Sequence, residues 1–369
     1  MKKEKTRYWD INPILSQHAI YNMVIGERSN GKTYGVLQYA IEQYFKNGSE
    51  LALLRRYDED FKGKRGQQMY DALVNNGVVQ KLSKGRWNSI KYYSQRWYFQ
   101  RIQDGKVEEV SETPFAYGFS LSSMEHDKST SYPRIKTILF DEFLTRDYYL
   151  INEFVVFQNV ISTIVRDRDD VIIFMCGNTV NKYSPYFKEM GLKNIKSQKV
   201  GTIDLYTYGD TGLSVAVEYC DSPIKNKKSN KYFAFDNPRL KMITKGTWEI
   251  DIYPHLPLKY TDSNVKYQYF IKFDDEILHC KIIQVKNEDG INTLFTYIHR
   301  KTTPIHDDNR WLVYQQEYSP LPNYKRRITK PTTKLEKKLV SFFIKDKVFY
   351  QDNDVGEVMR NYLEWSSQS

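Results

Sequence analysis

Sulfur is scarce in this 369-residue chain: Cys176, Cys220 and Cys280 are its only cysteines, and no two form a C-x-x-C pair. An odd number, with two inside apolar runs, argues against a disulfide framework and against a cysteine-ligated metal. It points to reduced thiols in a cytosolic compartment. Long apolar runs are also missing. No window approaches the roughly 18 apolar residues of a membrane span, and the basic start MKKEKTRYWD lacks the apolar stretch of a secretory signal. The expectation is a soluble protein that stays where it is made. Internal repeats and low-complexity tracts are absent as well.

Aromatic and apolar residues are plentiful. Hydrophobic residues make up 40% and aromatic residues 15%, with 30 Tyr and 19 Phe, so sizeable cores can form and a disordered composition is excluded. The length allows two domains of ordinary size. Acid is in deficit: Asp+Glu 45 against Lys+Arg 55 gives a formal net charge of +10. Such an excess suits a polyanionic partner, nucleic acid being the usual one.

Ile20–Ile25 reads as a short buried strand. After Thr33, the positions Val36, Leu37, Ala40, Ile41 and Phe45 keep helical spacing up to Asn47-Gly48. Glu50–Tyr57 reads as a second strand, and a right-handed crossover would make the two parallel. FKGKRGQQ (Phe61–Gln68) is expected as a polar, basic loop. Asp104-Gly105, between RWYFQRI and VEEV, signals a hairpin. FAYGFSLS, KTILFDEF and DVIIFMCGN read as further strands, with Asn152–Val165 helical between the last two. This alternation predicts the α/β class with a mainly parallel, buried central sheet.

Past Thr211 the character shifts, and SPIKNKKSNKY (Ser222–Tyr232) is polar and basic. The expected division is an α/β domain over 1–210, a linker over 211–232 and a smaller α+β domain over 233–369. In that domain a strand meander is expected from Val265, with turns at Asp274-Asp275 and Asp289-Gly290. Lys334–Trp365 reads as two helix-like stretches.

The chemistry concentrates in VIGERSNGKTYG. Gly26-x-x-x-x-Gly31-Lys32-Thr33 fits the P-loop pattern with no mismatch. The glycines let the backbone turn tightly and aim N–H groups at phosphate oxygens. Lys32 would pair with the β- and γ-phosphates, Thr33 would hold Mg²⁺, and the following helix turns its positive end to the same oxygens. Glu27, Arg28, Ser29, Asn30 and Tyr34 complete the expected ATP-binding stretch. TILFDEF brings Asp141 and Glu142 to the carboxyl end of a strand, where such sheets bind ligands. Asp141 would hold Mg²⁺ through water and Glu142 would polarise the attacking water.

Other residues stay open between two roles. Asn178 either senses the γ-phosphate or serves a turn with Gly177. Arg166 and Arg168, at a helix end, offer either an arginine finger, which in trans requires a ring, or cations favoured by the helix macrodipole. Arg55 and Arg56 touch phosphate or a neighbouring subunit, or form surface ion pairs. Lys62, Lys64 and Arg65, the linker residues Lys225, Lys227, Lys228 and Lys231, and Arg146 after the acidic pair are candidate nucleic-acid contacts; such charges are otherwise simply solvated.

VIGERSNGKTYG, LLRRY, EHDKSTSYPRIKTILFDEF, VRDRDD and MCGNTVNKYSPYF stand in the order seen in the DNA-packaging ATPases of phi29-type tailed phages, compact relatives of the large terminase. The chain resembles that family from about Tyr21 to Phe187. The resemblance implies an ASCE-type ATPase fold with an extra strand between those bearing the P-loop and the Asp-Glu pair, a place for which FAYGFSLS is the expected strand. It implies that Arg166 is a trans finger and that Lys128 is a basic residue offered to the neighbour's site. The C-terminal domain would be RNase H-like, a nuclease without its active site, serving to dock on the portal or on a packaging RNA.

The function so implied is ATP-driven translocation of double-stranded DNA into a procapsid by a homopentameric ring. It would work in the host cytoplasm at the portal vertex and be absent from the mature virion. Rival readings are a nuclease-competent terminase, a helicase or translocase outside phage assembly, a small-molecule P-loop kinase, and a structural ring protein. The nuclease would draw on Asp236, Asp251, Asp274, Asp275 and Glu276, whose spacing identifies no cluster.

Overall fold

The computed structural model describes residues 8–123, 130–221, 248, 251–286, 290–305 and 310–368. Lys128, Lys225, Lys227, Lys228, Lys231, Asp236 and Asp289 lie outside the described residues. Two compact units divide the chain, Met1–Glu249 and Ile250–Ser369.

The first unit is built on one sheet. Its strands are β1 (Tyr21–Gly26), β2 (Glu50–Arg55), β3 (Ser89–Tyr93), β4 (Arg96–Gln103), β5 (Lys106–Val110), β6 (Ala116–Ser120), β7 (Ile135–Asp141), β8 (Ile172–Asn178), β9 (Thr202–Thr207) and β10 (Ser214–Tyr219). The order is β3-β4-β6-β2-β7-β8-β1-β10-β9, with β5 on β4. From β6 to β10 every neighbouring pair is parallel. All six residues of β1 are buried, as a central strand covered on both faces requires. One face carries Ile138, Phe140 and Met175 under the Glu153–Val165 helix, which contributes Phe157, Val160 and Ile164. The other carries Val24, Leu53, Leu139 and Phe174 under the Lys32–Asn47 helix. That helix buries Val36, Leu37, Ala40 and Ile41, and stops at Gly48 with φ +77°.

Local signals hold up well. Asp104 and Gly105, with φ +49° and +74°, make the tight β4–β5 turn. Three expectations change. FAYGFSLS supplies β6, which pairs with β2 on the far side of the acidic strand. The strand between β1 and β7 is β8, from DVIIFMCGN. The crossover from β7 through the Glu153–Val165 helix lays β8 beside β7, and strand adjacency follows such crossovers, not chain order. The expected linker also begins too early. The polar shift at Thr211 is the turn between β9 and β10, and β10 is a buried core strand parallel to β1. Finally, FKGKRGQQ is not a plain loop: Lys64–Gln68 is a short helix, and Gly66 O accepts the Trp97 indole N–H at 2.8 Å.

In the second unit, β11 (Val265–Phe273), β12 (Glu276–Lys286) and β13 (Asn292–Arg300) form an antiparallel meander. β14 (Val313–Gln315) runs parallel to β11 and β15 (Tyr324–Lys325) parallel to β14, while β16 (Val348–Tyr350) is parallel to β13. The six strands stand in the order β15-β14-β11-β12-β13-β16. The two expected helices are Lys334–Ile344, begun by a Thr333–Glu336 capping box, and Asn353–Ser367.

Candidate functional site

The carboxyl ends of β1, β7 and β8 meet at one edge of the sheet, and the two motifs converge there. Residues 28–34, Asp141, Glu142, Cys176, Gly177 and Asn178 line a single cavity. Thr33 Oγ1 donates to Asp141 Oδ1 at 2.6 Å. Lys32 is buried, and its Nζ donates to Glu27 O at 2.7 Å, Asn30 Oδ1 at 3.1 Å and Asn178 Oδ1 at 3.3 Å. Burial pulls its pKa below the ordinary lysine value, against the nearby Cys220, Cys176 and Asp141.

The turn needs its glycines for two reasons. Gly31 sits at φ +94°, where a side chain is strained. A Cβ on Gly26 would stand 2.4 Å from Cys220 Sγ. That thiol accepts from Asn30 Nδ2 at 2.9 Å and donates to Ile25 O at 3.1 Å, so Cys220 buttresses the loop from beneath. From above, Trp9 N donates to Asn30 O at 2.9 Å, and Tyr8 stacks on Tyr34 with centroids 6.2 Å apart. Arg28 and Ser29 are exposed at the rim.

Asp141 is buried, which raises its pKa, opposed chiefly by Arg55. Arg55 donates to Asp141 Oδ2 and to Glu142 Oε2, each at 2.6 Å. Burial works against the Arg55 charge, yet the two acids outweigh it and raise its pKa. Glu142 occupies the left-handed region at φ +59°, which costs an L-residue about 1–2 kcal/mol. Arg56, which follows Arg55 in the chain, is buried and pairs bidentately with Glu153 at 2.8 and 2.9 Å. Arg56 forms a buried pair, Arg55 joins buried Asp141 to exposed Glu142, and neither role was visible in LLRRY beyond its place at a strand end. The donor set suits a hydrated Mg²⁺: a hydroxyl and a carboxylate in contact, with the carboxylate's other oxygen already drawing a positive charge.

The remaining candidates lie elsewhere. Arg166 is exposed at the far end of the Glu153–Val165 helix, at the amino-terminal edge of the sheet, and its Nη2 donates to Thr130 O at 2.9 Å. Arg168 donates to the carbonyls of Val165 and Ile164, capping the helix, and to those of Ile135 and Pro133. Lys62 is paired with Asp58 and Glu59 at 3.3 and 3.1 Å, so its charge is locally met. Lys64 and Arg65 are exposed on their short helix, and Arg146 donates to Val180 O at 3.2 Å. In the second unit, Glu276 pairs with Arg300 at 2.8 Å and Asp274 and Asp275 form the β11–β12 turn. Among the described residues no group of three or more His, Cys, Asp or Glu could hold a metal ion.

The family model of the podovirus DNA encapsidation protein (Gp16) matches residues 3–206, more than half of the chain. The DNA packaging protein of Bacillus phage phi29 is 29% identical over 187 residues, 50% of each chain. That of Bacillus phage B103 is 31% identical over 182 residues, 48% of this chain and 50% of its own. The chain thus spans about half the length of the curated relatives it matches. In fold, it aligns with the bacteriophage Phi-29 viral genome packaging motor assembly at TM-score 0.52 and 20% identity, over 96% of this chain and 97% of that one. The chain belongs to the podovirus DNA encapsidation protein (Gp16) family.

Proposed function

We propose that this chain is the ATPase of a viral packaging motor that hydrolyses ATP to drive double-stranded DNA through a portal into a procapsid. The observation that carries the reading is the 2.6 Å contact between Thr33 and Asp141, with Arg55 holding Asp141 and Glu142 beside it. Lys32 binds the β- and γ-phosphates and the N-terminus of the following helix supports them. Thr33 and Asp141 would hold Mg²⁺, which when bound would neutralise phosphate charge. Glu142 takes a proton from the attacking water as the new P–O bond forms and the bridging bond to ADP breaks. Asn178, in contact with Lys32, reports the γ-phosphate. Arg55 must release both acids before this can happen, so ATP entry and base release are linked.

Arg166 acts in trans, with Lys128 offered toward the same neighbouring site. Support comes from the exposed place of Arg166 at the sheet edge opposite its own phosphates, beside Thr130, two residues after Lys128. A finger so placed requires a ring, read as a homopentamer at the portal vertex in the host cytoplasm and absent from the mature virion. Lys64, Arg65 and Arg146, with Lys62, grip the DNA backbone without regard to sequence. The first unit is the motor. The second is a docking module for the portal or a packaging RNA, without nuclease activity.

The test is ATP turnover of the purified chain with and without duplex DNA and portal-bearing procapsids. Expected is DNA-stimulated hydrolysis, raised further by procapsids and reduced about 10²–10⁴-fold in Glu142→Gln, which still binds ATP. Equal turnover in wild type and Glu142→Gln sinks the reading.

A further inference from the structure

Two separate grips hold Glu142. Arg55 takes its carboxylate, on a side chain 64% exposed. Arg56 takes its main chain: Nη1 donates to Glu142 O at 3.3 Å and Nη2 to Phe143 O at 2.7 Å. The opposite end of the same peptide unit is held too, because Phe143 N donates to Cys176 O at 3.3 Å. The plane between residues 142 and 143 is therefore fixed on both sides, next to a residue in a conformation it does not favour.

The grips differ in permanence. Arg55 must let go when the two acids turn to a nucleotide. Arg56 is buried, and so is Glu153, its bidentate partner. Glu153 also accepts from the Tyr186 hydroxyl and from Leu150 N, both at 2.7 Å. Tyr186 lies on the short helix that follows Asn178 and β8, and Glu153 opens the helix that ends at Arg166.

We propose that Arg56 is a positioning residue for hydrolysis: it fixes the peptide plane after Glu142, and with it the place of the Glu142 carboxylate once Arg55 has released it. Glu153 and Tyr186 hold Arg56 in register. The inference rests on the base role of Glu142 proposed above. A mere strut would behave differently, since its loss would weaken folding and nucleotide binding along with turnover.

The test uses the full chain. Arg56→Lys keeps the charge and loses the fork; Tyr186→Phe removes one hydroxyl and keeps the ring. Turnover, KM and the Kd of mant-ADP are measured for each, and Arg56→Lys is repeated in a Glu142→Gln background. Expected is a fall in kcat of about tenfold for Arg56→Lys and about threefold for Tyr186→Phe, with KM and Kd within about twofold. In the Glu142→Gln background no further loss is expected, because the positioned group is gone. Unchanged kcat in both variants overturns the proposal, as does an equal extra loss in that background or a parallel loss of mant-ADP affinity. Should Arg56→Lys fail to fold, Tyr186→Phe alone decides. Wild-type protein without any turnover overturns the ATPase reading itself, and the two failures are thereby distinct.

Discussion

Thr33 Oγ1 and Asp141 Oδ1 lie 2.6 Å apart, although 108 positions separate them in the chain. The β1 turn and the β7 terminus therefore meet in one site. Replacing Asp141 by Asn removes the charge and keeps the shape. Affinity for Mg²⁺-ATP is expected to fall about tenfold or more, while binding of ATP in EDTA stays near wild type. Calorimetric titration with and without EDTA checks this.

Arg55 donates to Asp141 Oδ2 in a site where the Asp141 side chain is 6% exposed. Arg55→Ala leaves that carboxylate buried without its paired cation, held by the Thr33 hydroxyl. The free protein is expected to lose about 3 kcal/mol of stability in urea unfolding. Saturating Mg²⁺-ATP should recover much of the loss, because the metal replaces the missing charge.

Gly26 faces Cys220 Sγ so closely that even a methyl group collides with it. Gly26→Ala is expected to destabilise by about 1–3 kcal/mol and to weaken nucleotide binding. Adding Cys220→Ala removes the sulfur and should restore part of both. A cycle of the four proteins, followed by thermal unfolding and mant-ATP fluorescence, measures the coupling.

A trans role for Arg166 predicts complementation. Arg166→Ala rings and Glu142→Gln rings each hydrolyse poorly, yet mixed rings regain turnover because some sites pair an intact Glu142 with a neighbour's intact Arg166. Turnover against mixing ratio is the readout. A flat curve removes the finger from its assigned place.

Glu218 gives a pH dependence. Burial, with the Asp10 carboxylate adding to it, pushes its pKa from 4.5 up to about 7. The native state thus holds this proton more tightly than the unfolded chain. Its contribution is whole below pH 4.5 and is lost as pH rises through about 7. Glu218→Gln is expected to flatten the decline in stability across that window, as followed by urea unfolding at a series of pH values.

The sequence made the turn at Gly26–Thr33, the acidic strand end and the Asp104-Gly105 hairpin legible, because each depends on residues adjacent in the chain. Sheet order was not legible: β6 and β8 both read as apolar strands, and only the packing of the Glu153–Val165 helix decides which enters beside β1. The partners of Arg55 and Arg56 were hidden for the same reason, since they lie 86 to 97 positions away. Glu153 did leave a trace, as an acid opening an otherwise apolar helix. A carboxylate in that company is either solvated or buried against a cation.

β8 also acts as a ruler. By separating the strand of the phosphate turn from that of the acids, it sets two strand spacings, about 10 Å, between them. Side-by-side strands would leave half that width. Asn178, the last residue of β8, stands in that wider gap, where its amide oxygen accepts from Lys32.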